Sequence, residues 1–244
     1  MNILQVKNLT KSYDGVKALN DLSVSIQKGV ITGIIGPNGS GKSTLVHVLT
    51  GMTGFNSGAV VVDERVELET IQPYDVPVYG VTRTFQDVRL FNQMTVLDNV
   101  LLTLTERGVF AALFERHTAL HEEKARELLE QVNLWQKRHE LAGNLSYGQR
   151  KLLEIARALA MNTEVILFDE PFAGLFPEII KLVKQIIKDL RTQGKTVVLI
   201  EHNMVLIREL SDELLVLDSG QLLASGDPEV VLQKREVVEA YLGE

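Results

Sequence analysis

The feature that most constrains this chain is a glycine-rich loop set between an apolar run and an apolar helical pattern. Residues 30–35 are typical of a buried strand, and residues 45–49 of a helix. The residues between them match G-x-x-x-x-G-K-[ST], the phosphate-binding P-loop: Gly36, Pro37, Asn38, Gly39, Ser40, Gly41, Lys42, Ser43 and Thr44. Glycines let backbone N–H groups approach phosphate oxygens, and the helix start adds unpaired donors and a positive dipole end.

Two side chains of this loop have predicted roles. Lys42 is expected to bridge the β- and γ-phosphates of a nucleotide, and the Ser43 hydroxyl to ligate Mg²⁺. The alternative is a glycine turn with a chance lysine. It is disfavoured because strand, loop and helix all occur in the required order.

Composition narrows the class of protein. The chain has 244 residues, of which 45% are hydrophobic, enough for a substantial core in one large or two small domains. A net charge of −7 argues against a broad basic surface, so no nucleic-acid partner is expected. The absence of cysteine excludes disulfides and thiolate metal sites and suits a reducing cytoplasm. We find no apolar run of the length that spans a bilayer, so any membrane role is expected to require a partner.

The order of patterns predicts an α/β fold. Alternating segments at 3–9, 18–26 and 57–63 predict strands near the N-terminus, and a helical pattern extends from 94 to about 160 before strand–helix alternation returns. We therefore expect a single domain over 1–244, with a P-loop core (1–88 and 161–225), an antiparallel β portion, an inserted α-helical subdomain (89–160) and a helical tail (226–244). Local patterns also predict a turn at 11–15, a strand over 80–86 and a helix over 121–135.

An acidic pair forms the second half of the predicted site. Asp169 and Glu170 directly follow the apolar strand 165–168, and ligands of open parallel sheets bind at the carboxyl ends of the strands. Asp169 is expected to hold Mg²⁺ through its water shell, and Glu170 to accept a proton from the attacking water. Such a pair could simply begin a loop, but that alternative weakens beside a P-loop.

Two further polar residues are candidates. The Gln86 amide can both donate and accept near a metal and a water molecule, and His202 follows a predicted strand from which it could reach a γ-phosphate. A lone glutamine or histidine is more often structural or exposed to solvent. The pattern alone leaves both interpretations open.

One segment carries a specific resemblance. Residues 144–149, Asn-Leu-Ser-Tyr-Gly-Gln, resemble the LSGGQ signature of ABC-type ATPases, with Tyr147 as the departure. The resemblance implies an ATP-hydrolysing subunit. By position it assigns adenine stacking to Tyr13, the Q-loop to Gln86, the Walker B end to Asp169 and Glu170, the D-loop region to 173–175 and the switch histidine to His202. Phe176 stands where that family usually carries a polar D-loop residue.

The resemblance also implies how the site is completed. In ABC proteins a signature helix start faces the ATP of a second ATP-binding subunit, head to tail, in a homodimer or heterodimer. Here Ser146, Gly148 and Gln149 would contribute to cofactor binding. The expected catalytic set is then Lys42, Gln86, Glu170 and His202, the expected metal ligands are Ser43, Gln86 and Asp169, and the cofactors are ATP and Mg²⁺.

A finer similarity points to importers. Segments 83–86, 89–91, 94–100, 200–204 and 238–244 are similar to ATP-binding subunits of branched-chain amino-acid importers. ATPases of lipopolysaccharide export and of urea-type importers share parts of this set. The resemblance implies a cytoplasmic protein, peripheral on the cytoplasmic face of the membrane, whose surface near 86–99 receives a permease.

Two other classes compete with a transporter subunit. A soluble ABC ATPase that drives no transport, such as an iron–sulfur assembly factor, carries the same motifs. A P-loop kinase or switch GTPase is disfavoured, because no guanine-specifying N-K-x-D-type segment occurs and the signature segment would be unexplained.

Overall fold

The structure, a computed structural model, describes residues 1–85, 88–104 and 119–242. The strands are β1 (Asn2–Tyr13), β2 (Val16–Gln27), β3 (Ile31–Ile35), β4 (Ser57–Val62), β5 (Val66–Leu68), β6 (Val81–Arg83), β7 (Val165–Asp169), β8 (Thr196–Ile200), β9 (Glu213–Asp218) and β10 (Gln221–Gly226). The helices are α1 (Lys42–Leu49), α2 (Val96–Leu104), α3 (Ala119–Gln131), α4 (Tyr147–Ala160), α5 (Pro177–Thr192), α6 (Met204–Leu210), α7 (Pro228–Val231) and α8 (Arg235–Leu242).

The chain forms two compact units. The first contains Met1–Arg83, Glu164–Glu170 and the chain from Ile187 onward; the second contains the described parts of Thr84–Thr163 and Pro171–Ile186. The expected helical segment 89–160 falls within the second unit. Its assignment as a subdomain, like the bounds of the core and the tail, stays a prediction.

The first unit contains a six-stranded sheet in the order β10-β9-β3-β8-β7-β6, in which only β10 is antiparallel to its neighbour. Every residue of β3, β7 and β8 is buried, which explains their continuous apolar sequences. Because parallel strands end at the same edge, the segments after β3, β7 and β8 share one side of the sheet. The predicted α/β core is confirmed.

A second sheet of this unit, ordered β2-β1-β4-β5, is the predicted antiparallel portion. The expected turn at 11–15 is too long. β1 continues to Tyr13, which pairs with Val16, and only Asp14 and Gly15 make the turn. Both have positive φ, +47° and +85°, the requirement of a two-residue hairpin whose twist matches its strands.

The second unit is helical. Helices α2, α3 and α4 contact one another, and each has fully buried apolar residues, namely Val96 and Val100 in α2, Leu129 in α3 and Leu153 in α4. The predicted helix over 121–135 is wrong at its end. α3 stops at Gln131, because Asn133 takes a left-handed φ of +57°. Trp135 instead begins a short 3₁₀ turn, with the Arg138 guanidinium 4.5 Å from its ring centre.

The strand predicted over 80–86 is also shorter than expected, because β6 ends at Arg83. In the second unit the Phe85 N–H donates to Glu154 Oε1 at 3.0 Å, and its carbonyl accepts from Lys151 Nζ at 2.5 Å. Side chains thus take the backbone groups that a sheet ladder would use. Gln86 lies outside the described residues. Within the described ranges, no helix has the length and apolar character needed to cross a membrane.

Candidate active site

The loop after β3 has the geometry of a phosphate cradle. Gly36 adopts φ of +154°, and a Cβ there would overlap the Leu217 carbonyl oxygen, so only glycine fits. Lys42 is 6% exposed, and its Nζ donates to the carbonyls of Gly36 at 2.7 Å and Pro37 at 2.9 Å. The loop's own carbonyls therefore hold the ammonium group against the cradle that is expected to receive phosphate.

Helix α1 begins where the loop ends. Gly41 is its N-cap with φ of +99°, and among the described residues no side chain caps this start. The N–H groups of the first turn thus keep the donor capacity that anion binding uses. Ser43 is exposed in that turn, so its hydroxyl is accessible to a metal ion.

Glu170 and His202 are brought together at the carboxyl edge of the sheet. His202 Nε2 lies 2.9 Å from Glu170 Oε1. The backbone of Glu170 is left-handed, with φ of +47°, although its N–H still bonds to Ile200 O at 3.0 Å. The Glu201 carboxylate accepts from the His202 N–H at 3.1 Å, which fixes the start of the segment that carries the imidazole.

Sequence reasoning missed Arg83 as a site residue. Its Nη2 lies 2.6 Å from Asp169 Oδ2, and each side chain is 6% exposed. The available signal was an arginine at the carboxyl end of β6, a strand that pairs with β7. Only the pairing of the two strands shows that this arginine faces the predicted metal-binding carboxylate.

Tyr13 lies at the hairpin end of β1. This residue is 44% exposed, with Lys11 Nζ 4.8 Å from the ring centre, and its hydroxyl is 3.4 Å from Thr53 Oγ1. The Thr53 N–H bonds to the His47 carbonyl of α1 at 3.3 Å. The ring is thus anchored at its hydroxyl near the end of the P-loop helix, while the ring itself remains open to stacking.

The signature segment starts α4 in the second unit. Ser146 caps the helix as predicted: its Oγ accepts from the Gln149 N–H at 3.4 Å, and Gln149 Oε1 accepts from the Ser146 N–H at 3.1 Å. Gln149 thus already bonds within the cap. A Cβ at Gly148 would overlap Ile179 Cδ1 of α5, so a larger residue there would force the end of the Ile179 side chain to move.

Further along α4, three charged side chains, those of Lys151, Glu154 and Arg157, form hydrogen bonds to the backbone of Phe85 and Arg89. Lys151 is fully buried, and its Nζ lies 3.4 Å from Glu154 Oε2. Burial raises the pKa of the Glu154 carboxyl, an effect that Lys151 opposes. Burial also lowers the pKa of Arg157, whose Nη1 donates to the Arg89 carbonyl. The sequence predicts only an amphipathic helix here, and that pattern does not identify which distant residues its charged side chains contact.

The loop after β3 and the two acids at the end of β7, on a mainly parallel sheet, define the class as a P-loop nucleotide-binding protein. The ABC transporter family model matches residues 19–173. The chain is 37% identical over 251 residues to the high-affinity branched-chain amino acid transport ATP-binding protein LivG of Salmonella typhimurium, covering 99% of this chain and 98% of the relative. It is 38% identical over 254 residues to a probable protein of the same name from Methanocaldococcus jannaschii, covering 100% and 98%.

Solved structures agree with this assignment. The ADP conformation of an ATP-binding cassette of an ABC transporter matches with a TM-score of 0.86 at 37% identity, covering 100% of both chains. A dimeric post-hydrolysis cassette bound to ADP and Pi matches with a TM-score of 0.81 at 27% identity, covering 93% of this chain and 99% of that one. The chain belongs to the ABC transporter family. It is a nucleotide-binding subunit that hydrolyses ATP.

Proposed function

We propose that this chain hydrolyses ATP with Mg²⁺ to energise uptake of branched-chain amino acids through a membrane permease. The proposed hydrolysis of ATP rests on the 2.9 Å contact between the side chains of Glu170 and His202. The solute class is supported by full-length relatives named as branched-chain amino acid transport ATP-binding proteins.

ATP would be held by groups of the first unit. The exposed ring of Tyr13 stacks on adenine, the N–H groups of residues 36–44 surround the phosphates, and Lys42 leaves its loop carbonyls to meet them. Lys42 lies close to the cradle already, so this exchange needs only a change of side-chain partners.

The residues present fit a magnesium ion. Oxygen ligands suit Mg²⁺, and the exposed Ser43 hydroxyl and the Asp169 carboxylate supply them, with Gln86 as a further candidate. In the described ranges no three His, Cys, Asp or Glu side chains converge as a metal cage. This fits an ion that is held largely by nucleotide phosphates and water. Bound there, Mg²⁺ would neutralise charge on the phosphates.

Glu170 is the proposed general base. It takes the proton of the water that attacks the γ-phosphate, while the His202 imidazole holds the carboxylate in place and reaches toward the phosphate. The left-handed backbone at Glu170 supports a positional role, because such strain persists where the surroundings impose it.

Partners complete the proposed enzyme. The start of α4, where the exposed Ser146 caps the helix and Gly148 is buried, would face the ATP of a second ATP-binding subunit, head to tail, and dimeric cassettes exist among the structural relatives. A permease would dock near 86–99, with the chain peripheral on the cytoplasmic face of the membrane. There Phe91 is 46% exposed, while its N–H and carbonyl both bond to the buried Asn99 side chain at 3.1 Å. The two bonds hold the backbone that carries the ring, and an exposed aromatic side chain is typical of an interface anchor.

The test is reconstitution of the chain in liposomes with the membrane proteins that co-purify with it. We expect ATP-dependent uptake of leucine, isoleucine or valine, lost in Lys42→Ala. Uptake of urea, or outward movement of lipopolysaccharide, would replace the solute assignment. ATP hydrolysis without any co-purifying membrane protein would favour an ABC ATPase that drives no transport.

A further inference from the structure

Arg83 pairs with the carboxylate that the proposed function assigns to the metal. Its Nη2 lies 2.6 Å from Asp169 Oδ2, in a pair whose side chains are both only 6% exposed. A charge-assisted bond of this length, shielded from water, fixes the direction of the carboxylate more firmly than a surface ion pair does. The bond engages the Oδ2 atom of the carboxylate and so restricts its rotation.

The Arg83 guanidinium has two further contacts. Its Nη1 lies 3.4 Å from Thr50 Oγ1 and 3.4 Å from Met52 Sδ. Thr50 is the C-cap of the P-loop helix α1, and its hydroxyl donates to the Val46 carbonyl at 2.7 Å. Arg83 therefore links the end of the P-loop helix to the end of β7. A guanidinium is planar and has several donors, so it can contact Asp169 and the end of α1 at the same time, whereas the single ammonium group of a lysine cannot match this geometry.

Charge balance at this edge also needs a cation. Asp169 is 4% exposed and Glu201 is 6% exposed, and Glu170 follows Asp169 directly. A carboxylate as buried as that of Asp169 loses hydration, and Arg83 provides a positive charge in contact with it. Strand pairing places Arg83 near Asp169, because Arg83 ends β6 in register with Leu167, two residues before Asp169.

We propose that Arg83 is a positioning residue for magnesium: it orients Asp169 so that one carboxylate oxygen stays directed at the water shell of the ion. Arg83 touches neither nucleotide nor metal in this role and acts through Asp169. The inference rests on the proposed assignment of Asp169. It predicts that removing the guanidinium weakens the contribution of Mg²⁺ to nucleotide binding, rather than nucleotide binding as such.

The experiment measures ADP dissociation constants by calorimetry, once with EDTA and once with Mg²⁺. The dissociation constant in EDTA divided by the dissociation constant in Mg²⁺ is the ratio that measures how much the ion strengthens ADP binding. We expect Arg83→Met to lower this ratio roughly tenfold or more, the usual size of losing an outer-shell partner of a metal ligand. ADP affinity in EDTA should stay near wild type, because the P-loop contacts are untouched. Arg83→Lys keeps the charge and should restore part of the ratio.

Two controls separate the possible failures. Asp169→Asn alone should lower the ratio, and Arg83→Met should change nothing further in that background. Arg191→Met removes another ion pair of 2.6 Å, to Asp212, and should leave the ratio unchanged.

If Asp169→Asn keeps the wild-type ratio, the assigned role of Asp169 fails. If Asp169→Asn lowers it and Arg83→Met does not, Arg83 is only structural and the inference is overturned. Should Arg83→Met not fold, an unchanged ratio in Arg83→Lys overturns it and a lowered one supports it.

Discussion

His202 and Glu170 lie just beyond the ends of neighbouring parallel strands, with Nε2 of the histidine 2.9 Å from Oε1 of the glutamate. Their segments follow β8 and β7, whose last residues, Ile200 and Asp169, lie directly opposite each other. The contact therefore follows from strand register rather than from a flexible encounter. It makes the proposed base and the proposed switch histidine one unit, and their effects on hydrolysis should be coupled.

Glu170→Gln should lower ATP hydrolysis by roughly 10²-fold or more, the size expected of a lost general base. The amide keeps the shape and the contact to His202 but accepts no proton at neutral pH. ATP affinity should persist, and the variant with ATP, not with ADP, should accumulate as a dimer. Phosphate release and size-exclusion chromatography measure both effects. Glu164→Gln, at an exposed ion pair to Lys28, is the matched control. Near-normal turnover in Glu170→Gln would remove the base assignment.

The coupling of the pair is tested by a double-mutant cycle. His202→Ala should slow hydrolysis, and adding it to Glu170→Gln should cost much less than it does alone, because the first change already disables the shared unit. Single-turnover rates of the four proteins give the interaction energy. Additive effects would mean that the 2.9 Å contact has no catalytic consequence.

Ser146 allows stability and nucleotide function to be separated. Ser146→Ala loses the capping box and should cost about 0.5–2 kcal/mol of stability. Ser146→Asp keeps a capping oxygen, so its melting temperature should stay near wild type, but its charge should repel a facing γ-phosphate. We expect ATP-dependent dimerisation, studied in the Glu170→Gln background, to fail in Ser146→Asp. Dimerisation at the wild-type level would argue against the head-to-tail arrangement.

Gly148 is constrained by packing that a second change can relieve. Gly148→Ala places a Cβ against Ile179 Cδ1 and should lower the melting temperature, at a cost of about 1–3 kcal/mol. Ile179→Val removes that terminal methyl, so Gly148→Ala with Ile179→Val should recover most of the loss. Thermal unfolding of the three variants and wild type measures this. A double variant no more stable than Gly148→Ala would show that Ile179 is not the obstacle.

Glu213 should make stability depend on pH. Burial raises the pKa of its carboxyl, and Oε2 accepts no hydrogen bond from the described residues. A raised folded-state pKa means that stability is fully present below the unfolded pKa of about 4.3 and declines as the pH rises through the folded value. Glu213→Gln removes this penalty. Its melting temperature should exceed wild type at pH 8, and the gap should shrink toward pH 4.5. A gap that does not vary with pH would contradict the assignment to Glu213.

The amino-acid sequence by itself determined the features that arise within a few residues of the chain. The P-loop around Lys42 and the Ser146 capping box depend on local turn and helix-start chemistry, so both appear in the structure where the pattern predicts them. The buried strand before Asp169 is equally local, because a sheet covered on both faces demands a continuous apolar run.

Only the tertiary structure decided which distant residues meet. Arg83 and Asp169 are 86 residues apart, and Glu170 and His202 are 32 apart, so strand order and register, which no local pattern encodes, bring each pair together. The same reason explains the misplaced end of β6. Lys151 and Glu154 of a distant helix take the backbone bonds of Phe85, and that competition cannot be read from the strand's own residues.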